Sequence, residues 1–177
     1  EEAIALVRFV HEFPKPTVAM MEGPAVGAGL DLALACDFRV ASETAKFICA
    51  YTRIGYPPDC GGSWLLPRLV GLEQAKLFVY TGDAWDAAQA QAAGMVTEVA
   101  KPEELEARAF ALAEKLASGP TVAIGLAKQL LETAHRRSFP EQLGEEQKAG
   151  KVCAATEDHA EGLKAANEKR RPAFVGR

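Results

Sequence analysis

Apolar positions along this chain change their spacing three times, and each change marks a different kind of element. Ala3, Leu6, Val7 and Val10 recur at helical spacing, so the chain opens within a helix that Phe13-Pro-Lys-Pro16 breaks. Thr17–Met21 is a short apolar run with β-branched residues and predicts a buried strand. Leu30–Cys36 is apolar on every face, the pattern of a deeply buried helix. Phe38–Ala41 and Lys46–Cys49 are two further short strand candidates, and Met95–Val99 a last one. Helices are expected over Gly61–Val70, despite Pro67, over Leu72–Tyr80, and over Asp86–Ala93 between an Asp N-cap and Gly94. From Pro102 the pattern is helical throughout: Glu103–Ala117, then a helix from Pro120 to Ala134, one from Pro140, and Thr156–Lys169. The organisation is therefore strand-turn-helix units over 1–100 and a helical region over 101–177.

Composition narrows the class. A net charge of −4 argues against nucleic acid or an anionic membrane as the main partner. No apolar run is long enough to span a bilayer, and no signal peptide pattern opens the chain. Cys36, Cys49, Cys60 and Cys153 form no Cys-x-x-Cys pair and no metal-like spacing with the three histidines, so a reducing, cytoplasmic setting without a metal is expected. The opening helix has no cap signal before it, which leads us to expect an upstream segment.

Chemistry concentrates at two glycine turns. Pro24-Ala-Val-Gly-Ala-Gly29 runs straight into the apolar helix, with Asp31 in its first turn. Backbone N–H groups there can approach a ligand without β-carbons in the way, at the positive end of a helix. That suits an oxygen that gains negative charge during reaction. The spacing departs from a dinucleotide fingerprint. Asp31 is out of place in an apolar helix, because a buried carboxylate needs a partner or a job. The second turn, Ile54-Gly-Tyr-Pro-Pro-Asp-Cys-Gly-Gly62, presents Asp59, which local sequence alone reads as a turn or N-cap acid. Tyr51 reads as an amphipathic core residue able to donate a hydrogen bond. His11, His135 and His159 read as surface or interface residues. Lys169, Arg170 and Arg171 read either as a solvated helix end or as phosphate ligands.

Lys15-Pro-Thr-Val-Ala19, Gly23-Pro-Ala-Val-Gly-Ala-Gly29, Leu32-Ala-Leu-Ala-Cys-Asp37, Gly61-Gly62, Leu66-Pro-Arg-Leu-Val-Gly71, Thr81-Gly82, Ala93-Gly-Met-Val96 and the ending Glu168-Lys-Arg-Arg-Pro-Ala-Phe-Val-Gly176 together resemble the crotonase (enoyl-CoA hydratase/isomerase) family. The resemblance covers essentially the whole chain and implies an α/β crotonase-like (ClpP/crotonase) spiral of ββα units with the family's N-terminal third absent. It also implies a C-terminal helical region that builds homo-trimers, often paired into hexamers. Acyl-CoA is the implied substrate, with no cofactor beyond the thioester's own coenzyme A.

By position, Ala28 matches one of the family's two oxyanion-hole donors, where glycine is usual. Asp31 matches the first hydratase glutamate, and Tyr51 stands where the second would be. Asp59 matches the catalytic aspartate of double-bond isomerases and the nucleophile of a related dehalogenase. The resemblance also implies that Val26, Gly27, Gly29, Ile54, Gly55 and Pro58 line the substrate, and that Lys169 and Arg170 meet the CoA phosphates. The expected activity is enoyl-CoA isomerisation, with Asp59 as proton shuttle. Other readings stay open: hydration through Asp31, an Asp59 nucleophile in a dehalogenase or thioester hydrolase, and a non-catalytic binding subunit.

Overall fold

The computed structural model describes residues 1–177. They form two units, one of Glu1–Phe13 with Thr17–Leu112, the other of Pro14–Pro16 with Ala113–Arg177. The division falls inside a helix, twelve residues beyond the change of pattern at about residue 100.

The first unit holds six strands, β1 (Val18–Met21), β2 (Pro24–Val26), β3 (Phe38–Ser42), β4 (Lys46–Ile48), β5 (Ala84–Asp86) and β6 (Glu98–Ala100). They make two three-stranded sheets, ordered β1-β3-β6 and β2-β4-β5. Pairing is parallel except between β4 and β5. The helices of this unit are α1 (Glu2–His11), α2 (Ala28–Leu34), α3 (Gly62–Val70), α4 (Leu72–Thr81) and α5 (Ala87–Ala92), and α6 (Leu105–Ala117) starts in it. Strand pairs followed by a helix (β1-β2-α2, then β3-β4-α3) are the ββα units of a crotonase-type spiral. Leu30, Phe47, Leu66, Phe78 and Met95 are fully buried at its centre. The Phe78 and Trp85 rings lie 4.5 Å apart there.

Arg39 on β3 locks α2 to this frame. It is buried, and its guanidinium donates to the carbonyls of Cys36 at 2.6 Å and Met95 at 2.5 Å. Longer bonds reach Ala33 and Leu34, so one cation satisfies the carbonyls that a helix end leaves open. Asp37 closes the opposite side by accepting from the Thr17 amide and hydroxyl at 2.7 and 2.8 Å.

Three strand assignments differ from the sequence reading. Pro24–Val26, taken as part of the glycine turn, is an edge strand, where a leading proline costs no ladder bond. Ala84–Asp86 was not expected, because three residues cannot display an alternation. The last strand is Glu98–Ala100 rather than Met95–Val99. Met95 and Val96 are apolar because they are core; their amides bond to the Ala90 carbonyl and finish α5 instead of joining a sheet.

The second unit contains the end of α6 and the helices α7 (Thr121–Thr133), α8 (Phe139–Ala154) and α9 (Glu157–Asn167). Ser138 and Glu141 form a capping box for α8, and the Thr156 hydroxyl accepts from the His159 amide to cap α9. The last residues fold back along α9. Buried Asp158 accepts from the amides of Val175 at 2.7 Å and Gly176 at 3.0 Å.

Candidate active site

The turn between β2 and α2 is fixed by Gly27. Its φ of +54° lies in the left-handed region, while a β-carbon there would meet only the Tyr51 ring at an ordinary 3.8 Å. Backbone conformation rather than space therefore requires glycine. The Gly27 N–H donates to the Ile48 carbonyl at 3.1 Å, and its carbonyl accepts from the Asp31 N–H at 3.0 Å. The amides of Ala28 and Gly29 open the first turn of α2, where no intrahelical acceptor exists. The Ala28 N–H, the expected donor, thus has no acceptor within its own helix. Val26 and Gly29 also line an open groove of about 660 Å³, together with Leu6, Met20, Met21 and Leu32.

Asp31 explains its odd place in an apolar helix. It has no solvent exposure, and its Oδ2 accepts from the Tyr51 hydroxyl at 2.8 Å. Tyr51 reaches it from the 3-10 turn Ala50–Ile54 that follows β4. Oδ1 has no hydrogen-bond partner. It faces the start of α3, where a β-carbon on Gly62 would overlap it. Burial holds the Asp31 carboxyl above the usual carboxylate range, opposed by the Tyr51 hydroxyl and the nearby Gly62 amide and reinforced by the charge of Asp59. Burial also raises Tyr51, and the bond to Asp31 adds to it. The neighbouring Cys49 thiol is pushed up to about 11, chiefly by burial. A neutral tyrosine and a reluctant carboxylate therefore share one proton-bearing contact.

Asp59 differs in every respect. It is exposed, on the loop between Gly55, whose φ is +71°, and Gly61, whose φ is +102°. The next residue, Cys60, turns inward and is buried. Burial raises its thiol, and the neighbouring Asp59 carboxylate reinforces the shift. Pro58 is half-buried and Gly55 exposed, while Ile54 is 80% exposed. Asp59, Tyr51, Ile54, Gly55 and Pro58 do not line the groove beside Val26 and Gly29. The structure thus joins Gly27, Asp31 and Tyr51 in direct contact, with Asp59 on the neighbouring loop close enough for its charge to act on Asp31.

Lys169 and Arg170 belong to the second unit. Lys169 takes a left-handed backbone, φ +53°, just past α9. Arg170 is engaged by two acids, with Glu161 at 2.5 and 2.9 Å and Glu168 at 2.6 Å. Its donors are committed to these acids, and Arg170 together with the Ala173 amide holds Glu161 down at about 2. Gly62 was missed by sequence reasoning. The doubled glycine after Asp59 was the available signal, since a glycine opening a helix often marks a close approach. No group of three or more His, Cys, Asp and Glu side chains is placed to hold a metal ion.

Two small, mostly parallel sheets, a glycine turn feeding a buried helix and a second glycine turn that carries Asp59 are the features of a crotonase-type fold. The comparisons agree: the enoyl-CoA hydratase/isomerase family model matches residues 1–177, and the chain belongs to that family. It is 38% identical to 1,2-epoxyphenylacetyl-CoA isomerase of Escherichia coli strain K12 over 97% of this chain and 66% of that protein. It is 39% identical to 2,3-dehydroadipyl-CoA hydratase of the same strain, over 95% of this chain and 66% of the other. The crystal structure of an enoyl-CoA hydratase from Bacillus anthracis superposes with a TM-score of 0.94 at 36% identity, covering 99% of this chain and 68% of that one. The chain thus spans about two thirds of the length of these relatives. No helix is long and apolar enough to cross a membrane.

Proposed function

We propose that the protein binds an acyl-CoA thioester and isomerises its double bond, with Asp59 carrying the proton. The thioester oxygen would lie against the Ala28 N–H at the positive end of α2. An enolate formed there gains most from that donor; losing one such contact typically costs roughly 2.7–4 kcal/mol of barrier. Asp59 would take a proton from one carbon and return it to another, so one carboxylate is sufficient. Tyr51 and Asp31 would hold the floor of the turn rather than exchange protons with substrate. The coenzyme A portion serves as the handle of the substrate.

The observation that carries this reading is the contrast between the two acids. Asp31 has no exposure and one of its oxygens is occupied by Tyr51, whereas Asp59 is exposed. A proton shuttle needs to reach its substrate within hydrogen-bond distance. Relatives named as hydratases keep a second reading in play, hydration through Asp31. The two separate by mutation of the full-length protein assayed with 3-enoyl and 2-enoyl thioesters. Asp59→Asn is expected to lower isomerisation by about 10²–10⁴-fold. Full isomerase activity in that variant would refute the assignment, and water addition that survives Asp59→Asn but not Asp31→Asn would establish the second reading.

A further inference from the structure

The Ala28 N–H shares one peptide unit with the Gly27 carbonyl, and a planar trans peptide points the two in opposite directions. Whatever holds the carbonyl therefore aims the donor. The carbonyl accepts from the Asp31 N–H at 3.0 Å, one turn along α2, so the Ala28 N–H points out of the helix end. Gly27 itself offers little resistance to a flip of this unit, because glycine populates positive and negative φ alike.

Tyr51 supplies the resistance from two sides. Its hydroxyl donates to Asp31 Oδ2 at 2.8 Å and so holds the residue whose N–H grips the carbonyl. The end of its ring lies beside Gly27, 3.8–4.0 Å from where a β-carbon would stand. The Gly27 N–H is tied to the Ile48 carbonyl at the end of β4, the strand that leads into the turn carrying Tyr51. Gly27, Asp31 and Tyr51 thus close one ring of contacts, with Asp31 wholly buried and Tyr51 8% exposed. The 3-10 turn has an anchor of its own. The Thr52 hydroxyl donates at 2.8 Å to the carbonyl of Val79, in the last turn of α4. Gly82 follows that helix with a φ of +63°, and a β-carbon there would crowd the Thr52 hydroxyl at 3.3 Å and Arg53 Cγ at 3.0 Å.

We propose that Tyr51 is a positioning residue that aims the Ala28 N–H at the enolate oxygen, acting through Asp31 and Gly27 and anchored by Thr52. This rests on the reading of the Ala28 N–H as the enolate donor, and the experiment separates the two.

The test uses the full-length protein and two thioesters. Acetoacetyl-CoA ionises to an enolate with a near-ultraviolet band, whereas butyryl-CoA presents only a neutral carbonyl. Tyr51→Phe keeps the ring beside Gly27 and removes the hydroxyl. It is expected to lower affinity for the enolate about tenfold, with affinity for butyryl-CoA within about twofold, because a misaimed donor loses most where the charge is greatest. Thr52→Val keeps the shape of the side chain and removes the anchor, and should lower the ratio of the two affinities about threefold. A role in stability alone predicts a lower Tm in both variants with that ratio unchanged, which would overturn the proposal. A hydroxyl acting on the ligand itself predicts a loss in Tyr51→Phe and none in Thr52→Val, which would overturn it as well. Wild-type protein that binds butyryl-CoA without enhancing the enolate band would refute the Ala28 donor and the brace together. An enhanced band in wild type with the same ratio in Tyr51→Phe would refute the brace alone.

Discussion

Each unit of this protein buries one aspartate, and the two are treated in opposite ways. Asp158, in the helical unit, gives one oxygen to the Val175 amide and the other to the Gly176 amide. Asp31, in the unit with the sheets, has the Tyr51 hydroxyl on one oxygen and, near the other, only the Gly62 amide outside hydrogen-bonding geometry. A buried carboxylate that is fully paired with backbone amides is a fastener. One left half-paired is a cost that folding alone does not justify, and such exceptions concentrate at functional sites. The comparison therefore separates two residues of equal burial by how fully each is paired, without reference to any relative.

The strongest way to break that contrast is to remove the fastener. Asp158→Ala strands two part-buried amides and frees the C-terminal strap, so we expect a loss of about 3 kcal/mol in urea unfolding and early proteolysis after residue 170. Stability unchanged within about 0.5 kcal/mol would show that the strap contributes nothing. Next in size is Gly62→Ala. The new methyl group overlaps Asp31 Oδ1, and forced repacking of this kind costs about 2 kcal/mol. The same change at Gly144, where a β-carbon meets nothing within 4 Å, should be neutral or mildly stabilising. Equal effects at the two glycines would mean that the clamp on Asp31 is not tight. Tyr51→Phe keeps the ring under Gly27 but strips Asp31 of its side-chain donor, which should cost about 1.5 kcal/mol by the same unfolding measurement.

Much of this arrangement was legible in the chain. The helices announce themselves through period and caps, with Asp86 and Gln89 forming a capping box on α5. The all-apolar run after the glycine turn is indeed the buried α2, and Asp31 stood out in it as a charge without an excuse. The strands β2 and β5 were not legible, since their identity comes from pairing with β4, twenty or more positions away in the chain. Nor was the cluster of Asp31, Tyr51 and Gly27. Its members come from a helix, a 3-10 turn and a loop, and their meeting depends on the parallel register of β2 on β4. Local sequence gave Arg170 as a free cation, because nothing in the pattern shows that Glu161, nine residues earlier, lies within reach across the end of α9.

The smallest effect is also the one that probes the contrast most directly. Asp31→Asn retains an oxygen to accept from Tyr51 and removes only the charge. Burial raises the wild-type carboxyl above its ordinary 3.8, so the folded state holds a proton that the unfolded chain has already released. Between those two values the native state binds more protons than the unfolded state, and stability from this group falls as pH rises. Asparagine does not titrate. Relative to wild type, the variant should therefore gain in Tm as pH climbs from about 4 towards neutrality, with the difference level once the folded carboxyl has ionised. The matching change at Asp158 should simply destabilise, because asparagine cannot accept from both the Val175 and Gly176 amides with a single oxygen. A pH-independent difference at Asp31 would mean that its carboxyl is as well satisfied as that of Asp158, and the distinction between site and fastener would disappear with it.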